Sequence, residues 1–422
     1  MSKNRISEKL STEPYKGVRD FYPEDQQFLT YLFSTIRGVV ERAGYVEYHA
    51  SVLEPAELYT SKGADNAEII NEQSYTFVDR GGRQVALRPE MTPTVARMVA
   101  ARRRELAFPL RLYSLPNLFR YERPQRGRLR EHWQLNVDLF GSRSPLADAE
   151  IIMVAYELMR AFGASESDFV VKVGSRAYID HVAQENALSE EQTKKLLGLL
   201  DKKQKISEHD FSVGLRELGV SESVLSPENP PPEVVELLKY FGDAGVGTVV
   251  YDPSVVRGFA YYTGMVFEVF DTHPDNTRAL FGGGRYDNLT ALFEDASPEG
   301  GVPGVGFGMG DVTIRDFLAV RGLLQPYVPP TAVYIAVTSP DLAVEAQALA
   351  GTLRREGVNV AVDFGEKKLG DQIKTAAKHK IPRLIVVGEN ELATGVFSIK
   401  NLETGAEEQV PQEELSRYFN TL

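Results

Sequence analysis

The stretch from Leu118 to Gln134 reads LFRYERPQRGRLREHWQ, and its residue types suit phosphate chemistry. An arginine fixed on a rigid strand, as Arg120 would be, suits the charge that develops on a transferring phosphoryl group. Its planar fork matches two phosphate oxygens at once. Glu122 follows two residues later, which in a strand is the same face. A carboxylate there accepts from an exocyclic amine such as that of adenine. Residues 123–130 form a loop of Arg, Gln and Gly that can reach RNA phosphates. Composition alone favours a plainer reading, an arginine-rich hairpin that only makes surface ion pairs.

Four further stretches hold polar residues among glycines or apolar neighbours: YKGVRD (15–20), ALRPEMT (86–92), VRGFAYYTG (256–264) and GGGRYD (282–287). Glu90 is an acceptor-only carboxylate, which suits a cation. Asp138 lies four residues beyond Gln134 and shares its strand face. Taken singly, each is equally a buried strand polar group satisfied by its neighbours.

The elements that must hold these residues follow from periodicity. Phe28, Leu32, Ile36 and Val40 predict a helix over 26–43, ended by Gly44. Short strands are expected at 45–49, 74–79 and 85–88, the last two joined by a turn at 79–83. A helix is expected over 92–104. Residues 110–121 and 132–140 alternate as the arms of a long antiparallel hairpin, followed by a helix at 146–162 and a strand at 168–173. Residues 175–245 read as a helical insertion, broken by PENPPP at 227–232. Strands return at 247–252, 264–270 and 278–282. Gly283 to Tyr286 is read as the start of a helix. A glycine-punctuated strand at 304–309 leads into a helix ending near 320. Residues 325–330 form a Pro-rich linker. Beyond it strands and helices alternate (332–337, 342–356, 358–364, 370–379, 383–387), which predicts a small, largely parallel sheet covered by helices. A hairpin (396–402, 407–410) and a helix (412–418) close the chain.

The 422 residues imply two or three domains. The absence of cysteine excludes disulfides and Cys-based zinc sites. A net charge of −12 argues against nonspecific coating of nucleic acid but not against a local patch. Nine arginines against two glutamates between 101 and 130 form one such patch. Residues 1–16 are polar, expected to be loose, and lack a secretory apolar region. With no apolar run of about 18 residues, a cytoplasmic, non-membrane protein is expected.

The 118–134 hairpin closely resembles motif 2 of class II aminoacyl-tRNA synthetases in its histidyl form. The four other stretches resemble that family's motif 1 region, its histidine-binding segment and its two histidine-specific motifs, in the same order. The resemblance runs from about residue 14 to the C-terminus. It implies an α+β fold: an antiparallel sheet flanked by helices over 1–325, with a helical insertion, and an α/β anticodon-binding domain over 331–422. It implies a homodimer that joins histidine to tRNA(His) with ATP, magnesium accompanying the ATP, and no metal held by the protein. By resemblance, Arg257 and Arg120 are catalytic, Arg257 standing where most class II enzymes hold a metal ion. Glu90, Thr92 and Gln134 take the α-ammonium of histidine, Asp138 reads the imidazole N–H, and Tyr261 and Tyr262 wall the ring. Met91, Arg120 and Arg257 complete the histidine set. ATP falls to Arg120, Glu122, Arg130, Arg257, Gly308 and Gly310, and tRNA to Gln125, Gly127 and Arg128. The five lysines 367, 368, 374, 378 and 380 read as a solubilising face or, after such a domain, as an RNA contact.

Two departures stand out. Asp311 and Val312 occupy the place of the usual acid–arginine pair of motif 3, with Arg315 one turn further on. Ala260 replaces the usual acid before the paired tyrosines. They leave open a rival reading, a non-catalytic regulatory subunit of ATP phosphoribosyltransferase. The C-terminal domain and the retained Arg120, Arg257, Glu90 and Gln134 oppose it. A sensor of uncharged tRNA would be fused to a kinase, and no kinase signature is present.

Overall fold

The computed structural model describes residues 10–60, 73–203, 206–257, 261–276, 278–293, 301–364 and 366–421. It divides into two compact units, Met1–Leu324 and Gln325–Leu422. Among the described residues no helix is long and apolar enough to cross a membrane.

The first helix, Pro23–Val40, buries Leu29, Leu32, Ile36, Val39 and Val40. It starts earlier than periodicity suggests because proline is tolerated in a first turn, where Glu24 and Asp25 also complement the helix dipole. The strands of the first unit begin with β1 (Val46–Glu47), β2 (Leu53–Pro55), β3 (Tyr75–Val78), β4 (Gln84–Leu87), β5 (Leu110–Ser114) and β6 (Asn117–Phe119). They continue with β7 (Glu131–Phe140), β8 (Phe169–Ser175), β9 (Val249–Tyr251), β10 (Met265–Asp271), β11 (Ala279–Arg285) and β12 (Gly304–Gly310). Nine of them form one sheet in the order β1-β5-β7-β12-β11-β10-β8-β9, with β6 pairing β7. Pairing is antiparallel except for β1 with β5 and β8 with β9. The expected single arm at 110–121 is two strands, because Pro116 cannot donate to a ladder; its carbonyl instead accepts from Gln134 N at 2.9 Å.

The two faces of this sheet differ sharply. One row of paired residues runs Val137, Phe307, Gly283, Phe267, Val173. Together with Leu135, Val305, Met309 and Phe281 it forms the main core, against which the helices Pro23–Val40, Pro145–Ala161 and Asp311–Val320 pack. The next row, one residue along, runs Asn136, Gly308, Gly282, Glu268, Lys172 and lies on the opposite face. That face carries the polar residues among the glycines.

Two expectations are corrected here. Gly283 to Tyr286 does not start a helix: β11 runs through Arg285, paired on both sides, with β10 and β12. Three glycines carry no side chains to alternate, so the strand gives no period-2 signal. Residues 175–245 are helical but not one body. The helices Arg176–Glu185, Glu190–Asp201 and Glu208–Leu218 share a core of their own around Leu196, Phe211 and Leu215. The helix Pro232–Asp243 instead sends Leu237 and Phe241 into the main core.

The second unit contains β13 (Val333–Val337), β14 (Val360–Val362), β15 (Arg383–Val387), β16 (Val396–Asn401) and β17 (Glu407–Pro411), ordered β14-β13-β15-β16-β17. The first three are parallel and the last two antiparallel. Apolar clusters lie on both sides, one around Ile335 and Leu353, the other around Ala336 and Ile381. A short helix, Glu389–Thr394, is additional to the expected elements.

Candidate active site

The glycine face makes room for side chains lying flat on the sheet. A Cβ at Gly282 would stand 2.3 Å from the Phe267 carbonyl and 2.9 Å from Arg257 Nη1. At Gly308 it would meet Gln134 Nε2 at 2.5 Å, and at Gly306 Asp138 Oδ1 at 2.5 Å. Above this floor lies a cavity of about 110 Å³, lined by Glu90, Thr92, Arg120, Gln134, Arg257, Tyr261, Tyr262 and Tyr286 among others. Residues far apart in sequence are therefore brought to one small volume.

Each is held by identifiable contacts. Arg88 is 1% exposed and donates to the Ala50 carbonyl (2.7 Å) and the Asn117 carbonyl (3.1 Å), fastening the 86–92 segment to the strands beside it. Two residues on, Glu90 is buried and accepts from the Tyr261 hydroxyl at 3.3 Å. Burial and the Glu90 charge push the Tyr261 phenol well above its ordinary range. Thr92 opens the helix Thr92–Arg102. Arg120 Nε donates to the Pro89 carbonyl at 2.9 Å, which sets this arginine, just after β6, against the Glu90 segment. Gln134 Nε2 donates to Asn136 Oδ1 at 2.9 Å.

Arg257 has a φ of +56°, a backbone conformation that costs a non-glycine residue about 1–3 kcal/mol and persists where the surroundings dictate it. The preceding valines provide that constraint. Val255 is buried with Tyr261 and Tyr262, and Val256 is buried in the separate core of the helical insertion. Arg257 Nη1 meets Glu268 Oε1 at 2.9 Å.

Asp138 sits against Gly306 of the cavity floor and is 2% exposed. Its Oδ1 accepts from the Tyr286 hydroxyl, and its Oδ2 has no hydrogen-bond partner among the described residues. Burial pushes its carboxyl up to about 7, with the Tyr286 hydrogen bond acting in the opposite direction.

A second cavity of about 780 Å³ adjoins the first, and Arg257 lines both. Gln125, Gly127 and Arg128 line this larger one. They form a tight turn in which Gln125 N and Arg128 N each bond the other residue's carbonyl, with Gly127 at φ +76°. Besides Asp138, four expected ligands line neither cavity. Arg130 stacks over Tyr121 at 4.1 Å and donates to the Tyr15 hydroxyl and the Glu122 carbonyl. Glu122 lies 3.5 Å from Arg128 Nη1. Met91 is 1% exposed in the position before the helix Thr92–Arg102. Gly310 ends β12. Gly258, Phe259 and the Ala260 departure lie outside the described residues.

At the other departure, Asp311 is buried and accepts from Arg19 Nη2 (2.7 Å) and Trp133 N (2.9 Å). Arg315 turns away from both cavities, bonding Asp25 Oδ1 at 2.6 Å over the Phe28 ring. Residue-by-residue reading did not single out Tyr286, Asn136 or Glu268. Tyr286 had one signal, its place at the end of the glycine run; Glu268 had none before its pairing with Arg257 was visible. Among the described residues no three His, Asp or Glu side chains converge to hold a metal ion.

Comparison with known proteins identifies the family. Residues 17–212 and 231–310 match the model of the family described as histidyl-tRNA synthetase, and residues 332–422 that of the anticodon binding domain. A histidine–tRNA ligase of Leptospira biflexa is 41% identical over 417 residues, 94% of each chain. One from Thermoplasma volcanium is 34% identical, covering 95% of this chain and 96% of its own. The fold matches the crystal structure of a histidyl-tRNA synthetase from Nostoc sp. PCC 7120 with a TM-score of 0.80 at 24% identity, covering 98% of this chain and all of that one. Similarity at that level over almost the whole length leaves one assignment: the chain belongs to the histidyl-tRNA synthetase family and has the class II synthetase fold.

Proposed function

We propose that this chain is a histidine–tRNA ligase that uses its two adjoining cavities for the two halves of the adenylation step. The observation that carries the reading is Arg257, which lines both cavities and is fixed there by a strained backbone and by Glu268.

Histidine occupies the smaller cavity. Glu90, Thr92 and Gln134 take its ammonium end, since a buried carboxylate acceptor favours a cation. Tyr261 and Tyr262 wall the ring. The unpartnered Oδ2 of Asp138 is the acceptor for an imidazole N–H, with Tyr286 holding the other oxygen. The carboxylate is thereby turned toward Arg120 and Arg257. ATP lies in the larger cavity with its α-phosphate at their junction. A carboxylate oxygen of histidine attacks the α-phosphorus, and the bond to the bridging oxygen breaks to release pyrophosphate. Arg120 and Arg257 stabilise the charge that builds on the equatorial oxygens. The terminal ribose hydroxyl of tRNA(His) then attacks the carbonyl carbon and AMP leaves. Positioning and electrostatics suffice, and no side-chain nucleophile is needed. Magnesium accompanies ATP as its counter-ion.

The Gln125–Arg128 turn contacts the tRNA acceptor end, and residues 332–422 contact the anticodon region. The protein works in the cytoplasm as a homodimer. The match of 332–422 to an anticodon binding domain weighs against the regulatory-subunit reading. Histidine-dependent ATP–pyrophosphate exchange tests the proposal. Arg257→Ala is expected to lower kcat by roughly 10²–10³-fold. A folded wild-type protein with no exchange would overturn it.

A further inference from the structure

Among the described residues four arginines line the larger cavity, and three already face carboxylates. Arg257 is paired with Glu268 at 2.9 Å, Arg128 lies 3.5 Å from Glu122, and Arg126 lies 3.6 Å from Asp316. The fourth, Arg278, stands just before β11, is exposed, and makes no ion pair among the described residues. Its neighbour Asn276 accepts from Arg126 Nη2 at 3.3 Å, so two guanidinium groups approach this part of the wall.

The helix after β12 supplies no cation to the cavity. The helix Asp311–Val320 presents Thr313 and Asp316 to the cavity. Thr313 donates its hydroxyl to the Leu280 carbonyl at 2.7 Å, two residues from Arg278. Arg315 is turned to Asp25. An ATP whose α-phosphate meets Arg257 while histidine fills the smaller cavity has only the larger cavity for its outer phosphates. Three or four negative charges must be matched there beside Asp316, Glu268 and Asp275.

We propose that Arg278 binds the β- and γ-phosphates of ATP, and the pyrophosphate they become, in place of a cation on the helix after β12. The inference rests on the ligase reading, which sets where the α-phosphate lies. A guanidinium without a carboxylate partner breaks no ion pair to bind. Its fork gives bidentate, charge-assisted hydrogen bonds to phosphate. A contact of this kind is used by ATP and pyrophosphate but not by AMP or histidine.

The test compares wild type, Arg278→Ala and Arg278→Lys by calorimetric titration with ATP, AMP and pyrophosphate, and by the exchange reaction. Arg278→Ala should weaken ATP and pyrophosphate roughly tenfold to hundredfold, leaving AMP affinity, the KM for histidine and thermal stability unchanged. Arg278→Lys should recover part of the loss, because it keeps the charge without the fork. Unchanged ATP affinity in Arg278→Ala, or an equal fall for AMP, overturns the assignment of Arg278 while an active wild type leaves the ligase reading intact. A wild type that binds no ATP overturns both.

Discussion

Asp138, the proposed acceptor for the imidazole of histidine, is also a buried carboxyl that bears on stability. Its folded-state value of about 7 stands above the ordinary 3.8 because the carboxyl is buried. Folding therefore takes up a proton between those values. The native state is favoured most below pH 4 with respect to this group, and it loses that advantage as pH rises to 7. At pH 8 the ionised carboxylate costs the fold about 4 kcal/mol as an upper figure. Asp138→Asn keeps an acceptor for Tyr286 and removes the charge. We expect the variant to be more stable than wild type at pH 8 and nearly equal to it at pH 4, with a raised KM for histidine. Thermal unfolding at the two pH values checks this; a variant no more stable at pH 8 would mean that the carboxylate is paired or hydrated. Period two in β7 made the shared face of Gln134 and Asp138 legible in sequence. The Tyr286 partner was not, because it comes from a segment 148 residues away.

At the scale of elements, the glycines of β11 and β12 do two different jobs on two faces. A Cβ at Gly283 would stand 2.0 Å from the Gly306 carbonyl and 2.5 Å from Phe307 Cα, both backbone atoms. Gly283→Ala should destabilise by about 3 kcal/mol or more, since the strands cannot part without opening the core. A Cβ at Gly308 meets the far end of Gln134, which can swing away. Gly308→Ala should stay folded and raise the KM for histidine roughly tenfold, as one charge-assisted hydrogen bond is lost. Chemical denaturation and exchange kinetics on the pair would separate the roles, and equal stability of the two variants would contradict the assignment of faces. The strand at 304–310 was legible because Val305, Phe307 and Met309 alternate with glycines. The continuation of the strand at 279–285 beyond Gly282 was misread as the start of a helix because Gly282, Gly283 and Gly284 carry no side chains to alternate.

At the scale of the whole molecule, two separations matter. The helical insertion has its own core, yet Val256 is buried in that core immediately before Arg257. Val256→Ala should cost stability and lower kcat of exchange by more than it raises the KM for histidine, because it loosens the hold of the insertion core on Arg257. Full kcat in a folded variant would show that the insertion does not hold Arg257. Residues 325–422 form a separate unit with apolar clusters on both faces of its sheet. Expressed alone, that segment should unfold cooperatively on heating. Residues 1–324 alone should retain histidine-dependent exchange but charge tRNA poorly. A fragment 325–422 without a cooperative transition would argue against its independence. This boundary has a clear sequence signal, since the Pro-rich stretch at 325–330 lies where strand–helix alternation begins.

The sequence by itself determined the helices with continuous apolar periodicity, the strands whose side chains alternate, the linker and the set of polar residues able to handle an amino acid and a nucleotide. These are local properties, written in spacings of two and of three to four residues. Only the tertiary structure decided which polar residues share a volume. It placed Arg257 at the junction of two cavities, turned Arg315 toward Asp25, fixed Asp311 to Arg19 and Arg130 to Tyr15, and left Arg278 without an acidic partner among the described residues. Such choices depend on partners tens to hundreds of residues away, and on the close approach of strands across glycine, where no side chain is present to announce the pairing.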